Sequence, residues 1–406
     1  MKKIIFGITS LTLGGAERVL IDLANKLVEK FDITIFTLYT NGELEKELDE
    51  RIHLKSLYNK RYKDLNKKER VLIPVSVLFN KRKIYKNYVD DNDYIAQIAF
   101  LEGAITRIFS VKSKHNTKKI AWIHNDISKV FGKSIKAKIK RIVDRNAYEK
   151  YDVLAFVSVD NLDKFNKVYD DMLLPHEKVI KNYINSERII ELSKKENEKI
   201  FNSDEVNIVQ VSRLVEQKGI ERLIDVHTKL IKAGYNHHIY IIGNGPLKTK
   251  LEEKIKVDNV GNTFTLLGAK ENPYPYIKDA DAFGLFSFFE GYPMVVEEAK
   301  ILKKFVVVTN TSAREVLFDY ARNSLIVNND EEGIEQGIKY IIENKKKILE
   351  KNNDFVSADS PKSLEETLNI YKKEKSWSAE NNMIETLKNS KVWVPYISEK
   401  NQLDIL

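Results

Sequence analysis

Two hydrophobic periods alternate along most of this chain. Residues 3–9 form a short apolar run and a loop rich in Gly and Thr follows. Residues 16–29 then place Val19, Leu20, Leu23, Ala24 and Leu27 on one helical face. Residues 31–39 return to β-branched and aromatic side chains, which suit a strand. Strand, glycine loop, helix and strand in that order make a βαβ unit. The alternation continues through a small helix at 42–48, a strand at 51–57 and a basic helical stretch at 59–90. Strands at 94–100, 119–124 and 153–158 are interleaved with helices at 134–151 and 161–169. Such a sequence predicts a mostly parallel sheet with helices on both faces.

A second unit of the same kind follows. Residues 180–185 read as a hinge, and 187–201 as a charged helix with no strong core face. Strands are predicted at 206–211, 239–242, 263–267, 282–285 and 305–309, separated by helices at 219–233, 246–256, 274–278 and 294–302. Charged helices are predicted at 331–352, 361–374 and 376–390, with Trp377 and Trp393 available for docking. The fold class expected is α/β, two Rossmann-like doubly wound domains. The expected division is 1–185, 186–375 and a helical segment at 376–406. A length of 406 residues is too great for one core.

Composition narrows the chemistry. With 43% hydrophobic and 31% charged residues the chain reads as a soluble globular protein. It has no apolar run of about eighteen residues, the length a spanning helix needs. The opening Met1-Lys2-Lys3-Ile4-Ile5-Phe6 meets Gly14-Gly15-Ala16-Glu17-Arg18 without a small-residue cleavage pattern, so a first strand is a better reading than a signal peptide. There are no cysteines, which excludes disulfides, thiolate zinc sites and thiol catalysis. The cytoplasm fits best, with peripheral placement at the inner face of the plasma membrane as a further expectation. The net charge of +8 is concentrated in residues 51–150, which hold 25 basic and 9 acidic side chains. Either this is a solvated lysine-rich surface, or the first half meets an anionic partner such as a phosphorylated lipid acceptor or an anionic membrane surface. No nucleic-acid module is visible, and nucleic acid is not expected as a partner.

The candidate chemistry lies at predicted carboxyl ends of strands, where ligands bind in open α/β sheets. Glu290-Gly291-Tyr292-Pro293-Met294-Val295-Val296-Glu297-Glu298 sets Glu290 on a loop and Glu298 about one turn into the next helix. Two acceptor-only groups there suit polyhydroxyl ligands. Glu297 is read as facing solvent. Arg213 and Lys218 follow another strand on a loop closed by Gly219. A planar fork and a compact point charge can grip a diphosphate from two sides, or they are two surface cations near a helix start. Gly14 and Gly15 lie between strand and helix, either as a ligand loop or as a plain βα turn. They do not form a Gly-x-Gly-x-x-Gly fingerprint, which disfavours a dinucleotide-binding oxidoreductase. Gly243-Asn244-Gly245-Pro246 and Leu267-Gly268-Ala269 are further strand-end turns, and His124 ends a first-half strand as either a ligand or a capping residue. Glu102-Gly103 is another edge candidate. Asp90-Asp91-Asn92-Asp93 reads as a solvated turn. No His/Asp/Glu cluster has metal-ligand spacing, so no metal is expected.

These runs, taken in order over residues 1–330, resemble the family-4 retaining glycosyltransferases of GT-B fold. The resemblance rests on Gly14-Gly15-Ala16-Glu17-Arg18, Val211 to Gly219, Gly243 to Leu247 and Glu290 to Glu298. It implies two lobes facing a cleft, with the acceptor on the first and a nucleotide-diphosphate sugar, UDP-linked above all, on the second. It also implies a C-terminal helix crossing back to the first lobe. Arg213, Lys218, Glu290 and His124 would be catalytic. Arg213 and Lys218 would stabilise the leaving phosphate, and Glu290 would meet the donor sugar. Glu298 would meet the ribose. Gly14, Gly15, Gly291, Tyr292, Pro293, Met294 and Val295 would line the diphosphate. Gly243, Asn244, Gly245, Pro246, Leu267, Gly268 and Ala269 would line the nucleotide pocket. The acceptor implied is a glycan, a polyprenyl-diphosphate-linked glycan, a wall polymer or a protein, in a surface-polysaccharide pathway. The rival reading is a non-catalytic GT-B partner subunit. After 305–309 the segment Asn310-Thr311-Ser312-Ala313-Arg314-Glu315 lacks the glycines common in the family, which leaves Glu315 without an assigned role.

Overall fold

The computed structural model describes residues 1–130, 135–169, 176–196 and 198–354. The predicted helices at 361–374 and 376–390, the segment 376–406 and its crossing back lie outside the described residues.

The first lobe runs β1 (Lys2–Ile8), α1 (Gly15–Leu27), β2 (Phe31–Tyr39), β3 (His53–Tyr58), α2 (Lys67–Ile84), β4 (Tyr94–Ala99), α3 (Ala104–Phe109), β5 (Lys118–Ile123), α4 (Ile127–Val130), α5 (Ile135–Tyr148), β6 (Val153–Phe156), α6 (Val159–Val168) and β7 (His176–Val179). Its strands pair in parallel in the order β3-β2-β1-β4-β5-β6-β7. Helix α7 (Ser186–Leu192) leads into the second lobe. That lobe runs β8 (Val206–Val211), α8 (Ile220–Lys232), β9 (His237–Ile242), α9 (Lys248–Val257), β10 (Phe264–Gly268), α10 (Tyr274–Asp279), β11 (Ala282–Leu285), α11 (Met294–Ile301), β12 (Phe305–Thr309), β13 (Ser324–Val327), α12 (Glu331–Glu343) and α13 (Lys345–Asp354). Its sheet is also parallel, in the order β10-β9-β8-β11-β12-β13.

Helices on both faces explain why the central strands are apolar throughout instead of alternating. Ile4, Ile5 and Phe6 are all buried, as are Val306, Val307 and Val308. Each lobe has its own core, the first around Phe36, Phe109 and Phe156, the second around Leu223, Ile239 and Phe286. In both sheets the winding direction reverses at one place, between β1 and β4 and between β8 and β11. A reversal leaves a crevice outside the strands' carboxyl ends. The Gly14-Gly15 loop leaves β1, the Arg213 loop leaves β8, and the Glu290 loop leaves β11.

Several local expectations change. The charged helix predicted at 187–201 ends at Leu192, because no apolar face continues beyond it. Strands β7 and β13 were not predicted, since HEKV is polar and SLIV is short. The acidic turn is not simply solvated. Asp90 is buried and accepts from Gln97 Nε2 at 3.2 Å and from the backbone N–H of Lys114 at 3.0 Å.

Candidate active site

The loop carrying Glu290 is held by hydrogen bonds to neighbouring segments. The Phe288 N–H donates to the Gln217 carbonyl at 2.8 Å, and Gln217 Nε2 donates to the Phe289 carbonyl at 2.9 Å. Thr309 Oγ1 donates to the Ser287 carbonyl at 2.6 Å, and the Ser312 hydroxyl donates to the Glu290 carbonyl. These bonds lock the loop after β11 to the turn at 216–218 and to the segment from Thr309 to Ser312 at the end of β12. Gly219 closes that turn with φ +64, a left-handed conformation that favours glycine, and a Cβ there would lie 2.5 Å from the Phe286 carbonyl. The outcome is a contact between two residues that the sequence placed 72 positions apart: Lys218 Nζ lies 2.6 Å from Glu290 Oε1, with both side chains largely buried.

Arg213 stands on the exposed loop after β8. Its charge reaches Glu17 in the first turn of α1, whose carboxyl is raised by burial and partly drawn back by Arg213. The predicted nucleotide loops are stapled beside it. Leu214 N–H donates to the Asn244 carbonyl at 3.0 Å, and Gly243 N–H to the Gly268 carbonyl at 2.8 Å. At Gly243 (φ +150) a Cβ would lie 1.9 Å from the Ser212 carbonyl, so only glycine allows this approach. Asn244, Pro246 and Ala269 are exposed at the rim, while Gly245, Leu267 and Gly268 are half-buried.

The first lobe meets this edge at the amino end of α1 and at His124, among other contacts. A Cβ on Gly15 would lie 4.0 Å from Met294 Cγ, so the amino ends of α1 and α11 are neighbours. Gly14 is the extended residue just before α1, and Pro293 holds the same position before α11. Gly291 lies so close to the His124 carbonyl that a Cβ would be 2.1 Å from it. Tyr292 is buried and Val295 half-buried beside them.

Glu102 positions His124. Its Oε1 accepts the backbone N–H groups of His124 and Asn125 at 2.6 and 2.7 Å, and its Oε2 accepts Asn125 Nδ2 at 2.8 Å. The sequence marks Glu102 as a candidate at a strand edge, and the structure gives it this bracing role. The His124 ring packs against Phe100 and Trp122, and its Nε2 has no hydrogen-bond partner among the described residues. Burial depresses its pKa to about 3. A ring neutral near pH 7 suits a hydrogen-bond partner better than a resident acid.

Glu298 lies on the second turn of α11, buried, with the Tyr274 hydroxyl 3.4 Å from its Oε1. Burial pushes its carboxyl up to about 7, while Tyr274, Arg18 and Arg188 pull it down and Asp22 raises it. Arg18 lies inside the Gly14–Arg18 motif, which names no partner for its side chain. It forms a bidentate pair with Glu47 at 2.6 and 2.8 Å, and Arg188 joins the same carboxylate at 2.9 Å. Nothing in the spacing of these residues announced that cluster. Glu297 also departs from the solvent-facing expectation, since it accepts from the Tyr292 hydroxyl and pairs with Lys300 at 3.1 Å.

The arrangement therefore brings two cations, two helix amino termini and two acceptor carboxylates to one inter-lobe edge. Helix amino termini and cations favour phosphates, and carboxylates favour hydroxyls. Among the described residues no three His, Asp or Glu side chains are grouped to hold a metal ion.

Comparison with known proteins places the fold and part of the chain. The family profile described as "Glycosyl transferases group 1" matches residues 192–359. The N-acetylgalactosamine-N,N'-diacetylbacillosaminyl-diphospho-undecaprenol 4-alpha-N-acetylgalactosaminyltransferase of Campylobacter jejuni is 28% identical over 362 residues, covering 85% of this chain and 92% of that protein. Among solved structures, sucrose-phosphate synthase from Thermosynechococcus elongatus superposes with a TM-score of 0.68 at 16% identity, covering 87% of this chain and 93% of that one. Anabaena HepE in complex with UDP gives a TM-score of 0.63 at 18% identity, covering 87% and 93%. The two parallel sheets and these likenesses give the chain a GT-B fold, and its residues 192–359 match the group 1 glycosyl transferases.

Proposed function

We propose that the protein is a retaining hexosyl- or N-acetylhexosaminyltransferase, with a UDP-sugar as donor and a polyprenyl-diphosphate-linked glycan as acceptor. The observation that carries this is the Lys218–Glu290 pair at 2.6 Å beside the neighbouring amino ends of α1 and α11. In this reading the donor diphosphate lies against both amino ends, with Arg213 and Lys218 taking up the charge that grows on the leaving phosphate. Glu290 receives the donor sugar's hydroxyls, Glu298 the ribose, and His124 hydrogen-bonds the sugar through its neutral ring. The leaving phosphate oxygen accepts the acceptor's proton as the new bond forms on the face the nucleotide leaves. Fixed cations do the work a divalent ion would do, so turnover should persist in a chelator.

The lipid-linked acceptor is supported by the name of the Campylobacter relative, and the UDP donor by the ligand in the HepE structure. A wall polymer or protein acceptor, and work in the cell envelope from the cytoplasmic side, stay within the same chemistry. The non-catalytic alternative is disfavoured by the intact set of Arg213, Lys218, Glu290 and Glu298. The decisive experiment incubates the full chain with a panel of nucleotide sugars in EDTA and measures released nucleotide, with and without undecaprenyl-diphosphate glycans. Release of UDP with retained anomeric configuration supports the reading. Binding of a nucleotide sugar without any turnover on any acceptor would favour the partner-subunit reading.

A further inference from the structure

Helix α2 carries an exposed apolar stripe that the site above does not use. Leu72 is 62% exposed, Val75 48% and Phe79 81%. At 100° per residue, positions 68, 72, 75, 79 and 82 fall within about a quarter of the helix circumference. Lys68 and Arg82 therefore bracket the three apolar residues on one line, and Lys83 and Lys86 extend its carboxyl end, all four exposed. The opposite face is satisfied: Val77 and Ile84 are buried in the first lobe's core, with Ile73 packed against them. The helix is also firmly begun. Asn66 and Glu69 form a reciprocal capping box, which occupies the sole carboxylate of α2. The stripe is thus an outward face of a well-anchored helix.

The surroundings are cationic. Helix α3 packs against both α2 and α5. Helix α5 adds Ile139 and Ile142, each 58% exposed, beside the exposed Lys138. Burial lowers the Lys81 pKa, and the like charges of Lys150, Arg82 and Arg107 lower it further. An apolar line of this size, flanked at both ends by lysine and arginine, matches neither a purely phosphate-bearing partner nor ordinary solvent. It matches an interface whose outer layer is anionic and whose inner layer is hydrocarbon.

The geometry points to α2 as a membrane-docking helix, lying in the plane of an anionic lipid surface with Leu72, Val75 and Phe79 in the acyl boundary and the basic residues on lipid headgroups. This deepens the proposed function by naming how the first lobe would reach a lipid-borne acceptor, and its test does not depend on transfer.

The full chain is sedimented with phosphatidylglycerol–phosphatidylcholine vesicles and with pure phosphatidylcholine vesicles, neither containing sugar, nucleotide or polyprenyl lipid. Binding to the anionic vesicles alone is expected. Combined Leu72→Asn, Val75→Ser and Phe79→Asn should reduce the bound fraction at least tenfold, with the melting temperature and nucleotide binding unchanged. Lys83→Glu with Lys86→Glu should weaken binding by at least about fivefold per residue changed. The chain has no cysteine, so Phe79→Cys accepts a single polarity-sensitive label. Its emission should shift to the blue on anionic vesicles, while a label at Val257→Cys, on the second lobe, should not shift. No vesicle binding, or binding unchanged by the stripe variant, overturns the proposal. So does a wild-type dimer in sedimentation equilibrium that Phe79→Asn dissociates, which would make the occupant a second copy. In all these outcomes the transferase assay reads independently.

Discussion

Glu315 of the second lobe accepts the backbone N–H of Asp160 of the first lobe at 2.6 Å. Its other oxygen accepts the N–H of Val159 at 2.8 Å. A carboxylate at the open amino end of α6 satisfies two donors that the helix cannot pair itself, and it opposes the positive end of the helix dipole. Arg314 reinforces the junction by pairing with Asp160 at 3.2 Å. Glu315→Ala should therefore speed amide exchange at Val159 and Asp160 at least tenfold, while amides of β5 and β6 keep their rates. Unchanged exchange at those two amides would show that the contact does not hold the lobes in solution.

Variants of the Lys218–Glu290 pair should separate a contribution to stability from the proposed contribution to turnover. Lys218→Ala leaves a buried carboxylate without its counter-ion, which costs on the order of 3 kcal/mol. Lys218→Met combined with Glu290→Gln removes both charges and should recover most of that loss in urea unfolding. Turnover should stay about 10²-fold down in both variants, the scale of one missing preorganised donor. A double variant that recovers turnover along with stability would confine the pair to a structural role.

If Glu298 meets the ribose as proposed, nucleotide binding should depend on pH. Its carboxyl is raised by burial from 4.5 to about 7, so near neutral pH it is protonated about half the time. The stability this contributes is complete below about 4.5 and is lost as pH rises toward 7. Ribose hydroxyls donating to the carboxylate would favour the charged form, so UDP binding at pH 7 should release about half a proton. Calorimetry in buffers of different ionisation enthalpy measures this directly. Glu298→Gln should abolish the release and weaken UDP binding about tenfold.

Away from the site, two buried histidines set an acid limit. His227 Nδ1 and His237 Nε2 are 2.9 Å apart, and burial depresses their pKa values to about 3 and about 4. The unfolded chain takes up protons near 6.5 that the folded pair refuses. Stability is thus full above about 6.5 and falls as pH drops toward 4, by about 1.4 kcal/mol per unit for each site. Urea midpoints at pH 7, 6 and 5 should show the decline, and His237→Gln should flatten it.

Much of the fold was legible because parallel strands covered on both faces announce themselves as apolar runs. The predicted spans for β2, β8, β11 and β12 coincide with the observed ones. Strand β7 escaped because an edge strand tolerates Glu177 and Lys178. At the site, the strand-end position of Arg213, Lys218 and Glu290 was readable from glycine turns after apolar runs. Their mutual contacts were not, since a sequence does not say which of two loops will be laced together. The role of Glu315 was hidden for the same reason: its partners are backbone N–H groups in the other lobe, which leave no signature in side-chain spacing. Arg18, Glu47 and Arg188 were missed because each looked like an ordinary surface charge on its own element.

The fit of Gly291 against the His124 carbonyl bears on engineering. A hybrid made by grafting a foreign first lobe onto this second lobe would have to reproduce the path of the main chain at 124, not merely its side chain. Otherwise the seam would fail at a spot where the recipient has no atom left to trim.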